Sequence, residues 1–183
     1  MQVNVQLVGV EQVQKHLESV GRSIDPVMKK TVNRTAVGTR QQKYVKPLQR
    51  LFVDRKALRR GFSIRRAGKR SSAARIVPSS AGVPIPSWAG WNYSVVAPTR
   101  ARIFVRSLQG RKLAAGFVNP ASARKLALRT RGARASATQP RTALGPSLAY
   151  FFRQMTNDQL IRWVNAYLQQ EFRKQIEAEV KSA

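Results

Sequence analysis

Ala101-Arg102-Ile103-Phe104-Val105 is the stretch that most clearly indicates the fold. Its aromatic and β-branched residues favour an extended strand, and Arg102 lies in the outward phase of the alternation. Four further short runs of the same kind surround it, at residues 62–64, 74–77, 115–118 and 126–128. Together they predict a mainly antiparallel sheet that carries its arginines on one face.

The N-terminal third of the chain combines one short strand with helices. Residues 3–7 alternate apolar and polar side chains, which predicts a half-buried strand. Residues 10–20 repeat apolar side chains every three or four positions, as in an amphipathic helix that ends near Gly21. Asp25 followed by Pro26 predicts the N-cap and first residue of a second helix, whose apolar stripe continues to Leu51.

Four residues indicate where this helical region bends or stops. Gly38 and Pro47 predict a weak point or a kink in the second helix. Asp54 is placed to cap a further turn or two, which Gly61 would end.

The C-terminal part of the chain predicts two more helices. Gly145-Pro146-Ser147 is expected to begin the first of them, with the proline near the first helical position. Thr156 and Gln159 have the spacing of a capping box, and the apolar stripe from Leu160 to Val180 keeps a three-to-four spacing over about five turns. This is the clearest helix in the sequence, and we expect its stripe either to cover the sheet or to pack against a neighbouring subunit.

Two segments beside the predicted strands have the composition of loops. Residues 78–98 hold four prolines and two tryptophans, which predicts a long, partly extended loop. Residues 130–144 are mostly small and basic, and we expect them to be flexible. The chain is therefore predicted to form a single α+β domain over residues 1–183, with N-terminal helices, a central basic sheet with long loops, and a long C-terminal amphipathic helix.

Positive charge is concentrated in the middle of the chain. The 183 residues carry 34 Lys and Arg against 8 Asp and Glu, a net charge of +26. Residues 55–157 hold 21 of the basic residues and no acidic one. Solubility alone is served by mixed signs, so this composition predicts an anionic partner, either nucleic acid or an acidic protein surface.

The residue types that most catalytic sites need are scarce. The chain has no cysteine, and its one histidine, His16, is expected to be a solvated or partly packed residue of a helix. No phosphate-binding loop occurs, and over half the chain lacks the carboxylates used in acid–base or metal chemistry. Arg60-Gly61-Phe62 matches only the beginning of a signature of RNA-binding sheets, from which residues 63–65 depart. We therefore expect neither an enzyme nor a cofactor.

The candidate anion-facing residues lie on or beside the predicted sheet and the second loop. We expect these basic residues to face DNA or an acidic partner: Arg65, Arg66, Lys69, Arg70, Arg129, Arg131 and Arg134. No helix-turn-helix or zinc-finger pattern accompanies them, so the contact is expected to be independent of base sequence. No apolar run is long enough to span a bilayer, and the chain is expected to be soluble.

Large aromatic residues provide the candidates for contacts between subunits. Trp88 and Trp91 lie in the proline-rich segment, where core packing and a subunit interface are both consistent with tryptophan. The long C-terminal stripe leaves the same two alternatives open. The predicted interface residues are Trp88, Trp91, Trp163, Tyr167 and Phe172.

A series of short motifs follows in a recognisable order along essentially the whole chain. They are Gly9-Val10-Glu11-Gln12, Val32-Asn33-Arg34-Thr35-Ala36, Val53-Asp54-Arg55-Lys56-Ala57-Leu58, Ala115-Gly116-Phe117-Val118, Leu128-Arg129-Thr130-Arg131-Gly132 and Gly145-Pro146-Ser147. In this order, and with this charge, the chain resembles the minor tail protein Z (tail completion) family of tailed bacteriophages, within the broader group of small head–tail joining proteins. Asn33, Gly145, Pro146 and Ser147 carry the resemblance as motif residues. The chain departs from the family pattern at residues 78–98, which resemble an insertion, and in the alanine-rich residues 133–143.

The resemblance implies an α+β subunit that assembles as a ring, expected to be a homohexamer, at the head-proximal end of the tail. The implied partners are the tail tube, the tail terminator, the neck and connector proteins, and phage genomic DNA bound without sequence specificity. It implies a virion protein of the head–tail junction, assembled in the host cytoplasm, with no catalytic residue, no cofactor and no membrane contact.

Three other functions remain open from the residues themselves. A non-specific nucleic-acid-binding protein of the packaging or RNA-chaperone type would bind as a free subunit with a steep salt dependence. A nuclease would need a metal or a base that the basic middle does not supply. Binding to a membrane surface is compatible with the charge, although the apolar faces are expected to be used in packing.

Overall fold

The computed structural model describes residues 10–19, 23–132 and 134–181, with the backbone alone described at residues 16–19. The chain forms two compact units: the first comprises residues 1–46, 62–77 and 154–183, and the second comprises residues 47–61 and 78–153. The strand expected at residues 3–7 and the helix end expected at Gly21 lie outside the described residues. The predicted α+β class is confirmed.

The elements are numbered in chain order. The helices are α1 (Val10–Ser19), α2 (Asp25–Thr39), α3 (Lys46–Leu48), α4 (Arg55–Arg60), α5 (Leu148–Met155) and α6 (Asp158–Lys181). The strands are β1 (Phe62–Arg65), β2 (Arg75–Pro78), β3 (Gly82–Pro84), β4 (Trp91–Ala97), β5 (Arg100–Ser107), β6 (Gly110–Val118), β7 (Leu128–Arg129), β8 (Arg141–Thr142) and β9 (Leu144–Ser147).

The core of the first unit forms where α2 and α6 pack together. Ile24, Val27 and Phe172 are buried at its centre. The apolar residues packed around them are Val10, Val13, Met28 and Ile176. The long C-terminal helix is thus confirmed, and part of its apolar stripe is used inside its own unit.

The weak point predicted between Gly38 and Pro47 is a π-helical segment, Arg40–Val45. It joins α2 to α3, and the backbone N–H of Lys46 bonds to the carbonyl of Gln41, five residues earlier. A proline ring in a regular α-helix collides with the carbonyl four residues before it. The wider π turn ahead of Pro47 relieves that collision, so the chain changes its helical pitch here.

The predicted N-cap at Asp25 is wrong. The helix begins at Asp25 itself, after Ile24, and the Asp25 carboxylate lies 3.3 Å from Lys29 Nζ one turn later. The prediction at Asp54 is confirmed, because its side chain accepts hydrogen bonds at the start of α4, and the helix ends before Gly61. The pair Asp25-Pro26 therefore indicated correctly that a helix begins here, but it did not identify the N-cap residue.

Two C-terminal helix starts also differ from the sequence prediction. Gly145-Pro146-Ser147 belongs to strand β9, and α5 begins after it, with Ser147 Oγ accepting a hydrogen bond from the Tyr150 N–H at 3.2 Å. The capping box at Thr156 and Gln159 is absent, because Asn157 Oδ1 accepts from the Leu160 N–H at 2.9 Å instead. Neighbouring polar residues compete for each cap, and the one that fits the turn geometry takes it.

The second unit is built on a seven-stranded sheet. Its main order is β3-β9-β6-β5-β4, with β7 paired to β6 and β8 paired to β7, and these pairs are antiparallel. The buried face of the sheet presents Ala101, Ile103, Val105 and Val118 to the core. The mainly antiparallel sheet predicted for the middle of the chain is therefore confirmed, but two of its five predicted strands are not part of it. The runs at residues 62–64 and 74–77 form a separate two-stranded sheet, β1 with β2, in the first unit.

The long loop predicted at residues 78–98 is wrong. This segment contains β3, a 3₁₀ turn (Ile85–Ser87) and the seven-residue strand β4. Pro84 ends β3 and Pro98 follows β4, so neither proline interrupts the strand between them. Residues 130–144, also expected to be a loop, contain β8 and the first residue of β9.

Candidate polyanion-binding surface

The second unit has almost no negative charge of its own. Residues 47–61 and 78–153 contain 17 Lys and Arg and one acidic residue, Asp54. Asp54 Oδ1 accepts hydrogen bonds from the backbone N–H groups of Lys56 and Ala57, at 2.8 and 3.0 Å. The bond from Ala57 is the main reason why the pKa of Asp54 lies below its ordinary value. The only carboxylate of this unit is therefore occupied as a helix cap.

The arginines of β5 lie on the face of the sheet turned away from the core. Every second residue of β5 is buried, and the residues between them are Arg100, Arg102, Phe104 and Arg106. On β6, the Cα partners of Arg106, Phe104 and Arg102 are Arg111, Leu113 and Phe117, which therefore point to the same side. We call these seven residues the outer face: Arg100, Arg102, Phe104, Arg106, Arg111, Leu113 and Phe117. The prediction of arginines on one face of the sheet is confirmed for β5.

Apolar side chains lie among the arginines of the outer face. Leu113 is 54% exposed, and Phe104 and Phe117 are half-buried. The Arg100 guanidinium lies over the Phe117 ring, with Cζ 5.7 Å from the ring centre, in a cation–π arrangement. The outer face therefore offers a ligand both positive charge and flat apolar surface.

Four of the sequence-predicted residues lie together in the first unit. They are exposed residues at the end of β1 and in the turn that follows: Arg65, Arg66, Lys69 and Arg70. Asn33 of α2 holds this turn, because its Nδ2 donates to the Ala67 carbonyl at 3.1 Å and its Oδ1 accepts from the Ala67 N–H at 2.8 Å. Asn33 is thus a positioning residue for the basic turn.

The other three predicted residues lie in the second unit, Arg129 at the end of β7 and Arg131 and Arg134 in the loop that follows it. Arg129 supports the loop backbone, since its Nε donates to the Thr142 carbonyl at 3.2 Å and its Nη1 to the Arg131 carbonyl at 3.0 Å. Arg141 Nε donates in the same way to the carbonyl of Arg134, at 2.9 Å, where the backbone has a left-handed φ of 58°. The side chains of Arg131 and Arg134 are exposed.

The seven predicted residues therefore form two groups, one in each unit. The selection from the sequence took basic residues on or beside the predicted sheet and the second loop, and it omitted the arginines of the outer face. Spacing by two residues in a strand was the signal that could have found Arg100, Arg102 and Arg106. Arg111 could not have been added without the register of β5 against β6.

Trp88 is a core residue of the second unit, the first of the two alternatives left open by the sequence. It is only 3% exposed, its ring centre lies 4.6 Å from that of Phe52 and 6.0 Å from that of Phe151, and its Nε1 donates to the Val83 carbonyl. Phe172 is likewise buried within the first unit. Neither side chain presents an appreciable surface to another subunit.

The remaining predicted interface residues are accessible in part. Trp91 is half-buried at the start of β4, with its ring centre 6.4 Å from that of Tyr93. In the first unit Trp163 and Tyr167 stack at 4.9 Å, and Lys43 Nζ lies 4.2 Å from the centre of the Trp163 ring. These rings retain surface for contact with a partner.

The partial match to an RNA-binding signature does not produce a stacking surface. Phe62 is completely buried, and its ring stacks on Tyr44 at 5.6 Å between centres. A base could not reach that ring without unfolding β1. Any stacking on this protein must therefore use other aromatic residues.

The described residues provide no grouping of three or more His, Asp or Glu side chains that could hold a metal ion. The side chain of His16 lies outside what the structure describes. None of the helices in the described ranges has the length and apolar character needed to cross a membrane.

Comparison with known proteins gave no match among family models, curated proteins or solved structures.

Proposed function

We propose that this chain is a non-enzymatic structural subunit of a tailed-phage virion, a minor tail or tail-completion protein that forms a ring at the head-proximal end of the tail. In this role it takes part in head–tail joining and turns its basic surfaces toward genomic DNA or acidic tail and neck proteins. It would be assembled in the host cytoplasm and act without a cofactor or a membrane.

The observation that carries this proposal is the unbalanced charge of the second unit. Seventeen basic residues are accompanied by one carboxylate, and that carboxylate already caps α4. Exposed arginines on neighbouring strands repel one another unless an anion outside the chain neutralises them. A subunit that surrounds or contacts DNA in a larger assembly would have that anion in place.

Strand β4 supports assembly with other protein subunits. It is the last strand of the sheet and has no Lys, Arg, Asp or Glu among its seven residues. Tyr93, Val95 and Val96 are exposed on it, by 39%, 59% and 56%. Exposed edge strands usually carry charge or proline that prevents pairing with another chain, so an uncharged apolar edge favours an interface in the ring.

A second candidate is a non-specific nucleic-acid-binding protein of the packaging or RNA-chaperone type. The outer face favours it, because arginine together with apolar rings suits nucleic acid without needing a ring of subunits. The two candidates differ in where the chain resides: a virion subunit stays in the finished particle at fixed copy number, whereas a packaging factor leaves it.

Purified phage particles would test the virion role. Mass spectrometry should detect the chain in mature particles, and electron microscopy with an epitope tag on the chain should place a ring of it at the head–tail junction. Replacing Arg65, Arg66, Arg131 and Arg134 by Gln should lower particle yield or genome retention, while circular dichroism shows a folded chain. Particles that lack the chain, or full infectivity of the four-residue variant, would contradict the proposal.

A further inference from the structure

We infer that the outer face of β5 and β6 is a binding site for single-stranded nucleic acid, with the arginines contacting phosphates and the apolar residues contacting bases. The inference rests on the proposed function only in taking nucleic acid, and not an acidic protein, as the polyanion. It assigns that contact to residues other than the seven basic residues selected from the sequence.

The spacing of the arginines suits a row of phosphates. Successive residues of a strand rise by about 3.3 Å, so Arg100, Arg102 and Arg106 span about 20 Å along β5. Arg111 lies beside Arg106 on the next strand and widens the positive strip. In the described chain no hydrogen bond or ion pair engages the side chains of Arg102, Arg106 or Arg111, so the guanidinium groups are available to a ligand.

The apolar residues distinguish a single strand from a duplex. Phe104 and Leu113 are opposed in the centre of the outer face, and Phe117 lies opposite Arg102. A duplex presents phosphates at its surface and keeps its bases stacked inside, so it would leave these apolar side chains against charged backbone. Unpaired bases can stack on aromatic side chains, and Arg guanidinium groups add cation–π contacts.

An acidic protein surface explains the outer face less well. Carboxylates would satisfy the arginines, but they would give Phe104 and Leu113 no partner that replaces water. The same strands carry their well-packed apolar residues on the opposite side, where Ile103 and Val105 are buried. The apolar residues on the outer face are therefore additional to those that the core requires.

Fluorescence anisotropy of the full-length chain with labelled oligothymidylate of about 20 nucleotides tests the site, with a duplex of equal length and polyglutamate as competitors. The wild-type chain should prefer the single strand.

The double variant Arg102→Gln/Arg106→Gln tests the arginines, and it should weaken single-strand binding by about tenfold or more. It should also reduce the slope of log affinity against log salt by about 1.4, since each phosphate contact on a single strand contributes about 0.7. The matched control, Arg55→Gln/Arg59→Gln, removes two exposed charges from α4 of the same unit and should change binding and slope much less.

The stacking component is tested by Phe104→Leu, which keeps an apolar side chain but removes the ring. It should weaken single-strand binding by about fivefold or more and leave duplex binding nearly unchanged. Tyr93→Leu is the matched control, because Tyr93 is an exposed aromatic residue on the adjacent strand, paired with the buried-side residue Ile103. Melting curves for all four variants show whether each is folded.

The outcomes separate this inference from the proposed function. Equal loss of binding in the control variants, equal affinity for duplex and single strand, or polyglutamate competing as well as oligothymidylate would overturn the single-strand site. Each of these results would leave a virion role intact, because that role is judged by the presence of the chain in particles. Absence from particles, combined with the expected binding results, would overturn the virion role and leave this site standing.

Discussion

Arg106 and Arg111 are directly opposed across β5 and β6, as Cα partners on the outer face of the sheet. Like charges in this position destabilise an antiparallel pair, and no carboxylate of the second unit other than the capping Asp54 could offset them. The folded sheet therefore retains an unfavourable interaction that an external anion would relieve. Such strain in a folded protein is expected where a surface is used for binding.

Reversing one of these charges should stabilise the protein and weaken its binding. We expect Arg111→Glu to raise the free energy of unfolding by about 0.2–1 kcal/mol, because a cross-strand ion pair with Arg106 replaces a repulsion. Urea denaturation followed by circular dichroism measures this change. Anisotropy with the same oligonucleotide should show weaker binding.

Arg124→Glu provides the comparison for that substitution. It makes the same change in net charge, at an exposed residue that lies outside the strands. It should stabilise the chain less than Arg111→Glu does. Equal gains in the two variants would mean that overall charge, and not the opposed pair, explains the effect.

A charge placed on the edge strand should interfere with assembly. Val95→Lys puts a cation on β4 at a position that is 59% exposed, where an added strand from another subunit would have to bury it. Sedimentation in about 1 M salt, where the Debye length is only about 3 Å, should show association of the wild-type chain and monomers of the variant.

Val180→Lys makes the same substitution at an apolar position that is 45% exposed near the end of α6. It should associate as the wild-type chain does. If both variants associate normally, β4 is not an interface of the assembly.

Gly145 should be intolerant of even a methyl group. A Cβ at this position would lie 2.7 Å from atoms of the Trp88 indole, which is held in the core by Phe52 and Phe151. Gly145→Ala should therefore lower the free energy of unfolding by about 1–3 kcal/mol, the usual cost of overpacking. Gly90→Ala meets no atom within 4 Å and serves as the control in thermal unfolding; equal destabilisation of the two would contradict a steric cause.

The elements that the sequence predicted well are those with an uninterrupted period. The alternation at Ala101–Val105 corresponds to β5, because its apolar residues recur at every second position. The long stripe from Leu160 to Val180 corresponds to α6, because its apolar residues recur every three to four positions. Strand β4 was missed because the prolines around it suggested a loop, although they lie outside the strand. Two C-terminal helix caps were misplaced by one or two residues where polar residues stood side by side, whereas the cap at Asp54 was identified correctly.

The candidate site was only partly predictable for a related reason. Basic residues adjacent in sequence, such as Arg65 and Arg66, are conspicuous, whereas Arg100, Arg102 and Arg106 reach one face only through the pleat of a strand. The opposition of Phe104 and Leu113 depends on an irregular register, with a shift between Arg102 and Phe104 that the sequence does not indicate. Tertiary pairing, and not composition, determines which charges share a surface.

Tyr44 should make stability depend on alkaline pH. Its hydroxyl shares a hydrogen bond of 2.9 Å with Thr156 Oγ1, and burial raises its pKa above the ordinary value of 10.0 despite the lowering effect of that bond. Because the folded chain keeps this proton at a pH where the unfolded chain has released it, the free energy of unfolding falls as pH rises above about 10. Tyr44→Phe should cost about 1 kcal/mol near neutral pH, from the lost hydrogen bond, and its deficit relative to the wild-type chain should shrink as the pH rises above about 10. Urea midpoints of both chains across this range measure the deficit, and one that stays constant would show that Tyr44 is not the group responsible.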